Sequence, residues 1–338
     1  MKILVTGHTG FKGTWFVHFL SFLGHEISGL ALEPEEGSLF HASSTSELLK
    51  DDFRLDIRDR MSLKKSLQGK DFDWVIHLAA QALVFDSYEH PLETFDTNVM
   101  GTLNILEICT DVVNADKTLV ITSDKVYRNL EILRGYSESD PLGGADPYSA
   151  SKASADIAAQ SYLRNFATRS WAIARAGNVI GGGDWAKNRL IPDIIHSLHR
   201  GESIELRNPT AIRPWQHVLD CLNGYLTLIK SDSMSTLGNV WNFGPEIDSS
   251  LTVSRVTSQV LEAWGTNFSD VKHTQNSNHE SGYLLLDSSK ARRELNWSDK
   301  LSFSESIEFT VSFYRDLFAG KSAQSLVNSQ IKKFMEIQ

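Results

Sequence analysis

The opening stretch of this chain constrains its fold more than any other feature. The apolar residues 3–6 pass straight into Gly7-His8-Thr9-Gly10-Phe11-Lys12-Gly13, after which Phe16, Phe19, Leu20 and Leu23 recur at helical spacing. A buried strand, a glycine turn and an apolar-striped helix in that order leave few folds open. The glycines permit a tight turn and close backbone approach, while the helix N-terminus offers free N–H groups and a favourable dipole to an anion, so a dinucleotide pyrophosphate fits there. The spacing is G-x-x-G-x-x-G rather than G-x-G-x-x-G, and the flanking strand and helix are what separate it from an ordinary glycine-rich turn.

The same rhythm continues through the first half. Residues 3–6, 25–31, 74–77, 118–122 and 171–175 read as strands separated by amphipathic stretches, a doubly wound α/β pattern with a parallel sheet. After Arg175 the rhythm breaks into a glycine-rich stretch, residues 177–183, and a return to the sheet is expected at 239–243. The expected layout is a dinucleotide-binding domain of residues 1–176 with a return near 215–245. A smaller α/β substrate domain, discontinuous over 177–214 and 246–338, completes it. Ser302 and Glu305 have capping-box spacing ahead of Ile307, Phe309, Val311 and Phe313, which predicts a helix starting there.

Composition narrows the function classes. A chain of 338 residues with 41% hydrophobic content buries a large core without disulfides. Cys109 and Cys221 sit inside apolar, helix-like runs, so a reducing, cytoplasmic setting is expected and neither a disulfide framework nor a metal cluster is. Nowhere do about eighteen apolar residues run together, so no membrane span is expected. A formal charge of −9 disfavours nucleic acid as a partner while leaving room for a local basic pocket that takes a phosphorylated small molecule.

Glu33 lies about twenty residues beyond Gly13, at the end of the second strand, where a carboxylate can accept hydrogen bonds from adenosine ribose hydroxyls and favour NAD over NADP. A solvated acidic loop of Glu33, Glu35 and Glu36 is the alternative. Asp56, followed by Ile57, comes after a possible third strand and can meet the adenine amine.

Tyr148 and Lys152 stand four apart on one predicted helix, so their side chains share a face. There an ammonium can lower the phenol pKa and let the tyrosine act as a base on a sugar hydroxyl. With eight tyrosines in the chain the spacing alone is a poor motif; its weight comes from lying downstream of the glycine loop and of the strand ending at Thr122. That strand delivers Ser123-Asp124-Lys125 to the carboxyl end of the sheet, where open α/β sheets keep their sites. The run offers a hydroxyl, a potential acid and a potential base, provided Asp124 is kept protonated and Lys125 neutral; the alternative is a capped turn.

These residues, together with Leu78-Ala79-Ala80-Gln81 and Asn98-Val99-Met100-Gly101-Thr102, resemble the extended short-chain dehydrogenases. More narrowly they resemble the CDP-glucose 4,6-dehydratases. That likeness is carried by the glycine loop, residues 122–125, Pro141-Leu142-Gly143-Gly144, Asp146-Pro147-Tyr148-Ser149 and residues 177–185. Arg189-Leu190-Ile191-Pro192-Asp193, Arg207-Asn208-Pro209 and Arg213-Pro214-Trp215-Gln216-His217-Val218 extend it.

The resemblance implies a Rossmann-like fold with NAD bound by Gly7, Gly10, Phe11, Lys12, Gly13, Glu33, Asp56, Ile57, Leu78, Ala79, Ala80, Gln81, Asn98, Tyr148 and Lys152. It implies that Tyr148, assisted by Lys152, takes the proton of the sugar 4-hydroxyl held by Ser123, that Lys125 removes the C5 proton, and that Asp124 protonates the departing 6-hydroxyl. It also implies a nucleotide-diphosphate sugar, CDP-glucose first among them, held by Asn178, Arg189, Leu190, Arg207, Arg213 and Asn242, with His279 and Glu280 in a less defined role. A dimer through residues 97–112 and 148–164, or a dimer of dimers, is implied as well.

Three positions depart from the family pattern: Ala82 where proline is usual, Phe85 where arginine is usual, and Ser137 in the approach Leu133-Arg134-Gly135-Tyr136-Ser137-Glu138. The competing activities are a nucleotide-sugar 4-epimerase, which needs no acid–base pair for elimination, and a 4,6-dehydratase of dTDP- or GDP-sugars, of which the dTDP enzymes carry Asp-Glu rather than Asp-Lys. A non-catalytic NAD-binding sensor is the reading from another class, and the intact Tyr148 and Lys152 weigh against it.

Overall fold

The computed structural model describes residues 1–235, 239–246, 251–266, 270–273 and 282–337. Seven strands form one sheet: β1 (Lys2–Thr6), β2 (Glu26–Ala31), β3 (Leu49–Arg54), β4 (Asp71–His77), β5 (Asn114–Ile121), β6 (Ser170–Ala176) and a last strand, Asn239–Phe243. Their order is last strand, β6, β5, β4, β1, β2, β3, and every neighbouring pair is parallel. The order reverses between β1 and β4, and at such a switch point a crevice opens beyond the carboxyl ends of the strands.

Alternation along each strand decides which side chains meet which helices. Ile3, Val5, Ile76, Leu119, Ala174 and Trp241 face one way, onto α1 (Phe11–Phe22) and the helices Val218–Lys230 and Ala323–Glu336. Leu4, Val75, Val120, Ile173 and Val240 face the other way, onto the helices Arg60–Leu67, Thr102–Asp111 and Pro147–Phe166. The helix Ala323–Glu336 packs on α1 through rings such as Phe334 against Phe19.

A second apolar cluster gathers Ile191, Ile195, Ile204, Trp215, Val256, Val260, Ile307, Val311 and Tyr314. It joins the helices Leu190–Arg200, Val253–Trp264 and Phe303–Phe318 to three short strand pairs. The helix Phe303–Phe318 carries the expected capping box: Ser302 Oγ accepts from Glu305 N at 3.3 Å and Glu305 Oε2 from Ser302 N at 2.8 Å.

The strands lie where the apolar runs predict them, with one systematic difference. β4 and β5 begin earlier, at Asp71 and Asn114, because polar residues such as Asp71 and Lys117 hold ladder positions that an apolar count passes over. Lys117 remains in register by donating Nζ to Ile229 O at 2.8 Å. No helix among the described residues is long and apolar enough to cross a membrane.

Candidate active site

The glycine turn sits at the switch point. Gly7 adopts φ 72°, and a Cβ there would lie 2.7 Å from Ala79 N, so the turn and the loop after β4 touch backbone to backbone. A Cβ on Gly13 would collide with Gly7 O and lie 2.7 Å from His8 Cα. Gly10 precedes α1 with no side-chain cap, so the first-turn N–H groups are left for an outside acceptor. The donor set suits a pyrophosphate.

Thr6 Oγ1 accepts from Ala79 N at 3.1 Å and lies 2.7 Å from His77 Nδ1. Thr102 Oγ1 donates to Asn98 O at 2.7 Å and therefore accepts from His77 Nε2 at 3.0 Å. His77 is thus held as one neutral tautomer, and its burial, with Lys152 adding to the effect, pushes its pKa down to about 3.

One cleft of about 1780 Å3 joins this turn to the second cluster. It is lined by Gly7, Gly10, Phe11, Lys12, Gly13, Glu33, Asp56, Ile57, the run Leu78-Ala79-Ala80-Gln81, Ser123, Asp124, Lys125, Tyr148 and Lys152. On its other side stand Asn178, Arg189, Leu190, Arg207 and Arg213. Glu33 is largely exposed, 3.8 Å from Arg54 Nε. Arg58 grips both oxygens of Asp56 and holds its carboxyl below the usual range.

Two expected binders are not in the cleft. Asn98 is buried behind it, its amide accepting from Gln81 N at 2.9 Å and donating to Ser151 Oγ at 2.8 Å, so it braces the loop after β4 against the helix Pro147–Phe166. Asn242 is fully buried; its amide takes Tyr127 OH at 2.7 Å and donates to Tyr136 O and Asp287 O. No face of Asn242 is left for a ligand. His279 and Glu280 lie outside the described residues.

The helix Pro147–Phe166 begins sharply because Asp146 caps it, accepting from Ser149 N at 2.9 Å, and proline fills its first position. This start places Tyr148 in the first turn, Lys152 one turn on and Asp156 a turn beyond, all buried. Asp156 is fork-bound by Arg175 at 2.9 and 2.7 Å and takes Thr122 Oγ1 at 2.8 Å. Arg175 also donates to Tyr127 OH at 2.9 Å, tying β5, β6 and the helix together under the Tyr–Lys pair. Sequence reasoning missed this support, although Asp156 continues the i, i+4 spacing of Tyr148 and Lys152.

The electrostatics differ from the simple expectation. Burial pushes the Tyr148 phenol up to about 12, with Ser123 pulling it down and Asp124 adding to the rise. Lys152 is pushed down to about 8 by burial and by the nearby Lys12, against the pull of Asp156. Desolvation, not the neighbouring ammonium, sets the direction of the phenol's shift.

The turn after β5 holds the acid candidate. Ser123 Oγ accepts from Lys125 N at 3.2 Å and donates to Asp124 Oδ1 at 3.0 Å. Asp124 Oδ2 is buried among the protein atoms with no protein partner and lies where a Cβ on Gly177 would meet it at 3.0 Å. Burial raises the Asp124 carboxyl, with Lys125, Ser123 and Arg213 opposing the shift.

On the opposite wall Arg189 donates to Asp184 Oδ2 at 2.9 Å, and Arg213, nearly buried, donates to Ile212 O. Arg207 lies over the Phe85 ring, its guanidinium carbon 4.8 Å from the centroid. Ala82 and Phe85 line the cleft. Ser137 instead opens a turn, donating its N–H to Asp140 Oδ2 at 2.7 Å.

Residues 4–310 match the family described as GDP-mannose 4,6 dehydratase. The chain is 39% identical to a CDP-glucose 4,6-dehydratase of Salmonella typhimurium, with 99% of this chain and 96% of that protein covered. It is 30% identical to a dTDP-glucose 4,6-dehydratase of Mycolicibacterium smegmatis, with 93% of each covered. Among solved structures, a dTDP-glucose 4,6-dehydratase of Streptomyces venezuelae with NAD bound has a TM-score of 0.82 at 26% identity, covering 94% of this chain and 97% of that one. A UDP-glucose 4-epimerase of Thermotoga maritima shares the fold, with a TM-score of 0.82 at 22% identity and coverage of 94% and 100%.

Proposed function

Since the chain belongs to the nucleotide-sugar 4,6-dehydratases, the family described as GDP-mannose 4,6 dehydratase, we propose that it converts CDP-glucose to CDP-4-keto-6-deoxyglucose with an NAD that is recycled within each turnover. The observation that carries the reading is Asp124: a buried carboxyl with its pKa raised and one oxygen unpartnered, beside Ser123, Lys125 and Tyr148 in one cleft. An epimerase has no use for an acid at that place, whereas elimination of water needs one.

NAD held by the cradle of Gly7, Gly10 and Gly13 would supply the hydride acceptor for oxidation at sugar C4 and the hydride donor for reduction at C6. Tyr148 accepts the proton of the 4-hydroxyl, and Ser123 orients that hydroxyl. Once C4 is a ketone, the C5 hydrogen is acidic and Lys125 removes it as the C5–C6 double bond forms. Asp124 donates its proton to the 6-hydroxyl, which leaves as water. A proton then returns to C5 as hydride reaches C6, so substrate and product differ by one water. Arg189, Arg207 and Arg213 present guanidinium groups suited to the diphosphate.

Met100 and Ile157 are exposed on the surface formed by residues 97–112 and the helix Pro147–Phe166. We propose that this face joins two copies of the chain, with a tetramer as a further assembly of such dimers; sedimentation at several concentrations tests it.

Mass spectrometry after incubation with CDP-, dTDP-, GDP- and UDP-glucose, in ordinary and heavy water, tests the activity. The expected result is loss of one water with gain of one solvent deuteron, from the CDP-sugar alone. The same change with another nucleotide would reassign the substrate, and unchanged masses throughout would overturn the dehydratase reading.

A further inference from the structure

Phe85 and Arg207 meet from opposite walls of the cleft. Phe85 stands on the short helix Val84–Glu89, which follows the loop after β4; Arg207 follows the strand Ile204–Leu206 in the second cluster. Both side chains line the cleft, and the guanidinium carbon is 4.8 Å from the ring centroid, within the range where a cation is drawn to an aromatic face.

Each partner is fixed from behind. Arg207 donates to Asn188 O at 2.9 Å and to Asn188 Oδ1 at 3.3 Å, and it lies 3.5 Å from Asp193 Oδ2. Asn188 takes the left-handed conformation at φ 63°, which presents its carbonyl and its amide to the same guanidinium. On the other side Ser87, two residues beyond Phe85, accepts from Tyr148 N at 3.1 Å and donates to Val84 O at 2.6 Å. Ser87 thus ties the backbone of Tyr148 to Val84, the chain neighbour of Phe85, and the Phe85 ring in turn meets Arg207.

We infer that Phe85 is a positioning residue: its ring holds the Arg207 guanidinium across the cleft, and so sets where a nucleoside diphosphate lies relative to Tyr148. This rests on the proposed nucleotide-sugar reading. An arginine side chain is long and loses rotamer freedom on binding; a ring stacked on one face removes much of that freedom beforehand. With Asn188 and Asp193 on Nη1 and Nη2, the stack leaves Nε–H and the second Nη1–H to meet phosphate oxygens. Phe85 touches no reacting atom. Its effect falls on how firmly and how squarely the diphosphate is held.

The test compares Phe85→Leu, which keeps apolar bulk without a ring, with Phe85→Tyr, which keeps the ring, each made in wild type and in Arg207→Met. Affinity for CDP is measured by calorimetry, and KM and kcat with the nucleotide sugar. Phe85→Leu is expected to weaken CDP binding and raise KM about two- to fivefold, with a smaller change in kcat. Phe85→Tyr should restore both, and Phe85→Leu should add nothing once Arg207 is methionine. An equal loss from Phe85→Leu in both backgrounds, or failure of Phe85→Tyr to restore binding, would overturn the inference. The calorimetric arm needs no turnover, so coupling of the two residues in a protein that dehydrates no sugar would sink the proposed activity and leave the pairing standing.

Discussion

At Ser123 one hydroxyl proton has two candidate acceptors, Asp124 Oδ1 and the Tyr148 phenolate, because Lys125 N–H already occupies an acceptor lobe of Ser123 Oγ. Desolvation raises that phenol to about 12, so the Tyr148 that takes the 4-hydroxyl proton is its minor, deprotonated form. Tyr148→Phe is expected to abolish turnover while NAD titrations give unchanged affinity; persistent turnover would remove Tyr148 from the role proposed for it. Asp124 has the opposite polarity. Its raised pKa keeps the acid form at a pH where an ordinary aspartate is ionised, so elimination should decline as pH rises through that raised value. Asp124→Asn is expected to lower kcat by about 10²–10⁴ and to flatten that alkaline decline, with reduced cofactor accumulating because C4 oxidation outruns loss of water. Lys125→Met should still oxidise C4 but incorporate no deuterium at C5 from heavy water, and normal incorporation would move the base elsewhere.

Among the elements, the helix Pro147–Phe166 shows what a sequence makes legible. Asp146-Pro147 announces its start and the Tyr148–Lys152 spacing announces its active face, since both are local. The contacts that hold it are not: Arg175 on β6 and Thr122 just after β5 reach Asp156, and no periodicity within the helix points to them. Asn98 and Asn242 illustrate the same limit from the other side. Resemblance attached each to a ligand, but whether an amide faces the cleft or the wall behind it is settled by partners distant in the chain, Ser151 for one and Tyr127 for the other. The glycine turn was legible because its demands are local, and it yields a local prediction: Gly13→Ala pushes a methyl group into Gly7 O, so the variant should lose NAD affinity as well as thermal stability. Asp156→Ala leaves Arg175 buried without its counter-charge and is expected to cost about 3–5 kcal/mol in urea unfolding, more than Asp156→Asn.

Over the whole molecule, the two apolar clusters are joined by polar contacts as well as by the cleft. Asp220, on the helix Val218–Lys230, accepts from Lys300 N at 2.7 Å and Leu301 N at 3.4 Å, just ahead of the helix Phe303–Phe318. Burial pushes its carboxyl up to about 7, well above the value of about 3.9 for an unfolded aspartate. A raised folded-state pKa favours the protonated form, so its contribution to stability is full below about pH 4 and is lost as pH climbs towards 7. Asp220→Asn should therefore gain in melting temperature relative to the wild type between about pH 5 and pH 8; a constant difference would mean that Asp220 does not titrate there.

The position of the last strand in the sheet also bears on how the chain matures. Asn239–Phe243 pairs with β6, yet β6 ends at Ala176, and the residues between them build much of the opposite wall of the cleft. Until that stretch has been made, the edge of β6 has no neighbour and the sites filled by Trp241 and Phe243 stand empty. A nascent chain that has emerged only as far as residue 235 cannot complete the platform on which the nucleotide rests. The sugar-facing wall and the sheet are thereby obliged to mature together, and a product cut short before the last strand would be a substrate for proteases rather than a spare cofactor-binding module.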